Sequence, residues 1–152
     1  MSNATNTRPG KLSIIVFSGE FERIHYALVT ASAAVAIDIP VTLFFTMAAS
    51  RALLAPLGDG TPAWRSLPIG NSGLVGTTAE QIDDGFKERT VADFEDLLSA
   101  CVTLGVRFMV CDMGLRALDM EGAQMRDDVA IESGGMVTFL NDASATGQML
   151  FI

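Results

Sequence analysis

The sequence predicts an α/β protein: a three-layer α/β/α sandwich around a mostly parallel five-stranded sheet. Three observations carry this reading. Apolar runs such as "LSIIVFS" and "VTLFF" do not alternate with polar residues, as expected of strands buried on both faces. Helix-period segments alternate with those runs, the order that builds a parallel sheet with helices on both sides. The 152 residues are 49% hydrophobic and only 18% charged, against about 25% charged in an average domain. Much of the chain is therefore core, or surface that other subunits cover.

The polar opening "MSNATNTRPG" predicts a disordered lead-in over residues 1–10, with a single α/β domain over 11–152. Strand one is expected at 12–17, and Gly19 breaks it. Ile24, Leu28, Ala31 and Val35 then recur at helical spacing, and the small residues of "ASAAVA" let another backbone come close. Strand two is expected at 40–46, with Pro40 at its start, where no ladder donor is lost. "MAASRALL" reads as a short helix ending before Pro56.

Residues 55–76 carry three prolines and five glycines and predict a long loop. Loops beyond about 12–15 residues are usually functional or disordered. Thr77 and Glu80 match a capping box, although Gly85 interrupts the helix they would start. A better helix begins near Thr90, with Val91, Phe94, Leu97, Leu98 and Cys101 on one stripe and Gly105 as its stop. Strand three is expected at 106–110, followed by a short helix from 112 to about 120. Strand four is expected at 129–132. Ser133, Gly134 and Gly135 lead into a helix through about 143, and strand five closes the chain at 147–152.

Composition excludes several functional classes. The net charge is −8, and the ten Lys and Arg are scattered, so no basic footprint for nucleic acid exists. Two cysteines are too few for a disulfide framework, and one histidine cannot build a multi-histidine metal site. No run is long enough to span a bilayer, and the opening lacks the apolar stretch of a signal peptide. The expectation is a cytoplasmic protein with neither metal nor cofactor. "SGEFER" has one glycine where a dinucleotide loop needs three, and "IGNSG" lacks the lysine of a phosphate loop.

In open α/β sheets, ligands bind beyond the carboxyl ends of the strands. Three segments should meet there: Ser18-Gly19-Glu20, Thr46-Met47 and Cys111-Asp112-Met113. Cys111 is then the strong nucleophile at the functional edge. It precedes the first turn of a helix, whose unpaired N–H groups favour a thiolate. It should be at least partly reachable from a pocket. Cys101 sits on an apolar helical stripe and should be buried. From the residues alone, Cys111 reads equally as a reactive thiol or as a small residue packed under a turn. His25 lies in an early turn of helix one, near the site edge. A solvated or capping role suits it better than that of a general base. Glu20 and Glu22 fit the dipole of that helix start, and Met47 and Met113 read as core or interface filler.

Taken together, "KLSIIVFSGEFERIHYALVTASAAVAIDIPVTLFFTMAASRALL" and the later "LGVRFMVCDMGLRALDM" resemble the DsrE/DsrF-like family of sulfur-relay proteins. The resemblance spans nearly the whole chain. It implies a DsrE-like α/β/α sandwich that assembles as a homo-oligomer, a trimer or hexamer. It implies a sulfur carrier or sulfurtransferase holding a cysteine persulfide at Cys111 and exchanging sulfur with donor and acceptor proteins. Only Cys111 matches a cysteine position of the family. The continuation "DMGLRAL" departs from the "SMS"-like sequence of related branches. The competing expectation is a non-enzymatic small-ligand-binding or assembly module, with loop 55–76 as its lid.

Overall fold

Five short strands pair in the order β4–β3–β2–β1–β5, every neighbour parallel. They are β1 (Leu12–Val16), β2 (Val41–Phe45), β3 (Arg107–Cys111), β4 (Ile131–Gly134) and β5 (Gln148–Phe151). The computed structural model describes residues 7–152. Of the expected lead-in, residues 1–6 lie outside the described residues. Within the rest, Gly10 N donates to Thr146 O at 3.0 Å.

The helices are α1 (Phe21–Ala36), α2 (Ala79–Glu88), α3 (Phe94–Thr103), α4 (Asp112–Ala117) and α5 (Met136–Asp142). Alternate residues of each strand face opposite sides of the sheet. Ile14, Val16, Leu43, Phe45 and Phe108 pack with Ile24, Leu28, Leu98 and Cys101 of α1 and α3 in the larger core. Ile15, Phe44, Met109 and Cys111 face the other way, against Phe139 of α5. The sandwich thus has one thick helical layer and one thin one, the thin layer being the two turns of α5.

Four strands lie within a residue or two of their expected limits, and β3 runs one residue further, so that Cys111 ends it. The fourth strand is displaced by two residues. Val129 is drawn into the larger core, and pairing runs from Phe108↔Ile131 to Cys111↔Gly134. "MAASRALL" forms a 3₁₀ helix, Met47–Leu53. The cap of α2 is Thr78, whose side chain accepts from Gln81 N at 3.2 Å. Thr77 instead donates its N–H to Gln81 Oε1 at 2.9 Å, and the helix continues through Gly85. The helix expected from Thr90 begins at Phe94, because Asp93 caps it by accepting from Asp96 N at 3.0 Å. Val91 is left 46% exposed, off the buried stripe of Phe94, Leu97, Leu98 and Cys101. Gly105 does end that connection, at φ 86°.

Loop 55–76 is anchored rather than loose. It holds a 3₁₀ turn, Ala63–Ser66, whose Trp64 is buried among Phe21 and Phe94, with ring centroids at 5.4 and 4.8 Å. The Trp64 indole N–H donates to Glu95 Oε1 at 2.8 Å. On the thin face, Asp142 accepts from Lys11 Nζ at 2.7 Å, from Thr42 Oγ1 at 2.6 Å and from Arg107, which also pairs with Glu132. This cluster fastens the end of α5 to the sheet.

Candidate functional site

The three strand-end segments do converge. Thr46 N donates to Val16 O at 3.0 Å, which holds the end of β2 against that of β1. Gly19 packs so closely on Ala48 that an added Cβ would lie 2.6 Å from the Ala48 Cβ. Gly114, in α4, meets the next segment in the same way: an added Cβ would lie 2.6 Å from Met47 N and 2.9 Å from Thr46 Oγ1. Met47 itself has φ 50°, a left-handed conformation costly for a side chain with a Cβ.

Cys111 is both the last residue of β3 and the cap of α4. Its sulfur accepts the Gly114 N–H at 3.4 Å. Asp112 follows, exposed, and accepts from Ser133 Oγ at the end of β4. Met113 is 63% exposed. Ser18 Oγ accepts from Glu20 N at 3.2 Å. Glu20 pairs with Arg23 at 3.2 Å and reaches towards Gly70.

One expectation is corrected here. Cys111 is only 3% exposed and borders neither of the two cavities described below. The reason is packing: the side chain of a strand's last residue still follows the pleat. Here the pleat turns Cys111 under α5, against Phe139 and Met109. Its neighbours Asp112 and Met113 reach solvent instead. Cys101 is fully buried, as expected; its S–H lies 3.6 Å from Leu28 O, and burial pushes the thiol up to about 12.

Two sizeable cavities flank this edge. One of about 560 Å³ opens beside Asp112 and is bordered by Arg116, Glu121, Arg126 and Ser133. Arg126 is held by Glu95 and Asp128 at 2.8 and 2.7 Å, which raises its already high pKa. The other, about 690 Å³, lies between α1, the 70–74 segment and Phe86.

His25 borders that second cavity. It is buried, not the solvated or capping residue its position suggests. It stands four residues after Phe21 on the same stripe as Ile24 and Leu28, and that spacing is the signal for its burial. Its ring stacks on Phe86 at 4.3 Å, and Nε2 lies 2.9 Å from Ala92 O. Burial lowers its pKa below 6.5, outweighing the Ala92 bond and the charges of Asp83 and Asp93. Asp83 is raised in turn, chiefly by burial, although it accepts Phe94 N at 2.8 Å. Among the described residues, no group of three or more His, Cys, Asp or Glu could hold a metal, and no helix is long and apolar enough to cross a membrane.

The arrangement can be set beside known proteins. The chain is 27% identical over 157 residues to the sulfur carrier protein DsrE2 of Allochromatium vinosum, covering 93% of this chain and 98% of that one. It is 26% identical over 156 residues to the uncharacterised protein YrkE of Bacillus subtilis, covering 93% and 96%. In three dimensions it resembles the ychN protein of E. coli, with a TM-score of 0.52 at 13% identity over 93% of this chain and 98% of that one. At that identity the likeness speaks to the fold. The model of the DsrE/DsrF/DrsH-like family matches residues 8–151, essentially the whole described chain, and the protein belongs to that family.

Proposed function

We propose that this protein is a sulfur carrier that holds transferred sulfur as a persulfide on Cys111. The observation that carries the proposal is the placement of the Cys111 sulfur. It sits at the carboxyl edge of the sheet, where three strand-end segments converge, with the Gly114 N–H directed at it. Kinship with a protein named as a sulfur carrier supports the same reading. The step balances without an oxidant. The Cys111 thiolate attacks the outer sulfur of a donor persulfide, a new S–S bond forms, and the donor leaves as its thiolate. Delivery to an acceptor thiol repeats the exchange in reverse.

Because the sulfur is 3% exposed, loading requires its cover to move. That cover is thin: the first turn of the six-residue α4 and Phe139 of α5. The test is mass spectrometry of the protein after incubation with a persulfide donor. The gain of one sulfur atom at Cys111, lost in Cys111→Ser and kept in Cys101→Ser, is expected. Sulfur on Cys101, or on neither residue, would overturn the proposal.

The same reading includes a homo-oligomer, a trimer or hexamer, in a cytoplasmic setting that keeps both free thiols reduced. Support for assembly comes from the sheet face beside α5. There Phe17 and Phe151, with centroids 5.4 Å apart, are 45% and 67% exposed, and Val137 and Leu140 of α5 are 73% and 52% exposed.

A second reading, a ligand-binding or assembly module without thiol chemistry, is favoured by one observation: Cys111 is enclosed. Alkylation of the native protein separates the two. A Cys111 that reacts with iodoacetamide only after unfolding supports the second reading.

A further inference from the structure

The cavity of about 690 Å³ stands where the topology of the sheet divides. Strands β1 to β4 progress in one direction across the sheet, and β5 returns to the far side of β1. The connections therefore part: α1 leaves β1 for the thick face, and α5 leads to β5 along the thin one. Such a division is where open parallel sheets take their ligands, beyond the carboxyl ends of the two strands. The cavity occupies that position, bordered by Ile152 just past β5 and by Glu20, Glu22 and His25 after β1. Its volume falls within the roughly 300–1,000 Å³ of small-molecule sites.

The chemistry of its wall is specific. Val29, Leu74, Phe86, Val91 and Ile152 supply apolar surface. His25, 5% exposed, is a buried polar group on that wall. Its Nε2 faces the carbonyl oxygen of Ala92 at 2.9 Å. A carbonyl only accepts, so Nε2 carries the proton. In the neutral ring Nδ1 is then an acceptor, and it makes no hydrogen bond among the described residues. Glu22 holds the 70–74 segment beside the opening, accepting from Gly70 N at 2.8 Å and Ser72 Oγ at 3.0 Å. Glu20 at the rim is paired with Arg23 at 3.2 Å, so Glu22 leaves one net negative charge there, on a chain of net charge −8, which disfavours anions.

We propose that this cavity binds a small uncharged molecule of the phenol class: an apolar, ring-sized body whose hydroxyl donates to His25 Nδ1. The site is independent of Cys111, which does not border it.

The probe is p-cresol, titrated into the full chain and followed by NMR of the imidazole nitrogens. His25 is the single histidine, so the signal is unambiguous. A saturable shift of Nδ1 is expected. Toluene, which lacks the donor, should bind about tenfold more weakly, the weight of one net hydrogen bond. Benzoate should not compete. Val91→Trp, filling the cavity from a half-exposed position, should abolish binding while leaving the thermal midpoint near wild type. His25→Phe should lower p-cresol affinity to that of toluene. Cys111→Ser should bind normally, which keeps this proposal separate from the sulfur reading. Imidazole signals unmoved at millimolar p-cresol, equal binding of toluene, or retained binding in Val91→Trp would each overturn it.

Discussion

Cys101 and Cys111 are both buried, yet their surroundings give them different fates. Cys101 lies in the larger core with a carbonyl 3.6 Å from its sulfur, and burial holds it as a thiol. Cys111 is followed directly by exposed Asp112 and Met113 and has a backbone amide directed at it. In the native protein iodoacetamide should therefore label Cys111 before Cys101, as peptide mapping would read. Cys101→Ser places a hydroxyl where apolar groups dominate and should cost about 1–3 kcal/mol in denaturant unfolding. Ser50 shows the converse. It is fully buried and its hydroxyl finds no partner. Ser50→Ala should raise stability by about 1 kcal/mol, and a loss of stability instead would mean that the hydroxyl is satisfied.

At the scale of elements, α4 is positioned by a close approach. Gly114 rests against Met47 N and Thr46 Oγ1, with no room for a Cβ. Gly114→Ala should push α4 away from the end of β2 and cost about 1–3 kcal/mol, the range for overpacking. The same shift should uncover Cys111, so alkylation should quicken even where the fold survives. Helix α5 is fastened through Asp142. Burial alone would raise this carboxyl, but bonds from Lys11 and Thr42 and the charges of Lys11 and Arg107 outweigh it and hold it below the usual range. A depressed carboxyl stabilises the fold above its unfolded value and loses that effect as pH falls through the folded one. Asp142→Asn should therefore destabilise the protein near neutrality, by about 2 kcal/mol, and much less in strong acid. Equal losses at both pH values would contradict this origin.

For the whole molecule, the titration of His25 has a defined sign. Its folded pKa lies below 6.5, so the unfolded chain takes up the proton first. Stability should fall as pH drops below about 6.5 and stop falling once the folded ring titrates. Asp83, raised by burial, opposes this in the carboxylate range, so the comparison belongs between about pH 7 and pH 5.5. The thermal midpoint should fall across that interval in the wild type and less in His25→Phe. Assembly is the other property of the whole. The exposed Phe17, Phe151, Val137 and Leu140 lie beside the thin layer, and contiguous apolar patches beyond a few hundred Å² are uncommon on monomers. Light scattering should give a multiple of 16.1 kDa, and Phe151→Lys should shift it towards the single chain.

Local pattern determined the architecture: the unbroken apolar runs of β1, β2 and β3 required a sheet covered on both faces, and their alternation with helix-period segments required parallel pairing. It also determined that the end of β3 would bring Cys111 to the carboxyl edge, beside Thr46 and Met47. Burial of Cys101 could be read from its spacing to Leu97 and Leu98. Other features needed the tertiary structure. Which way Cys111 points depends on the pleat and on α5, an element distant in sequence. Thr78 rather than Thr77 caps α2, and Phe94 rather than Thr90 begins α3, because single side-chain hydrogen bonds, accepted by Thr78 and Asp93, choose among nearby candidate starts. The burial of His25 is encoded in its stripe, but its partner Ala92 and the wall formed by Ile152 come from remote segments. Local sequence specifies which residues must be hidden; only the packed chain specifies what hides them, because burial is shared between surfaces that meet after folding.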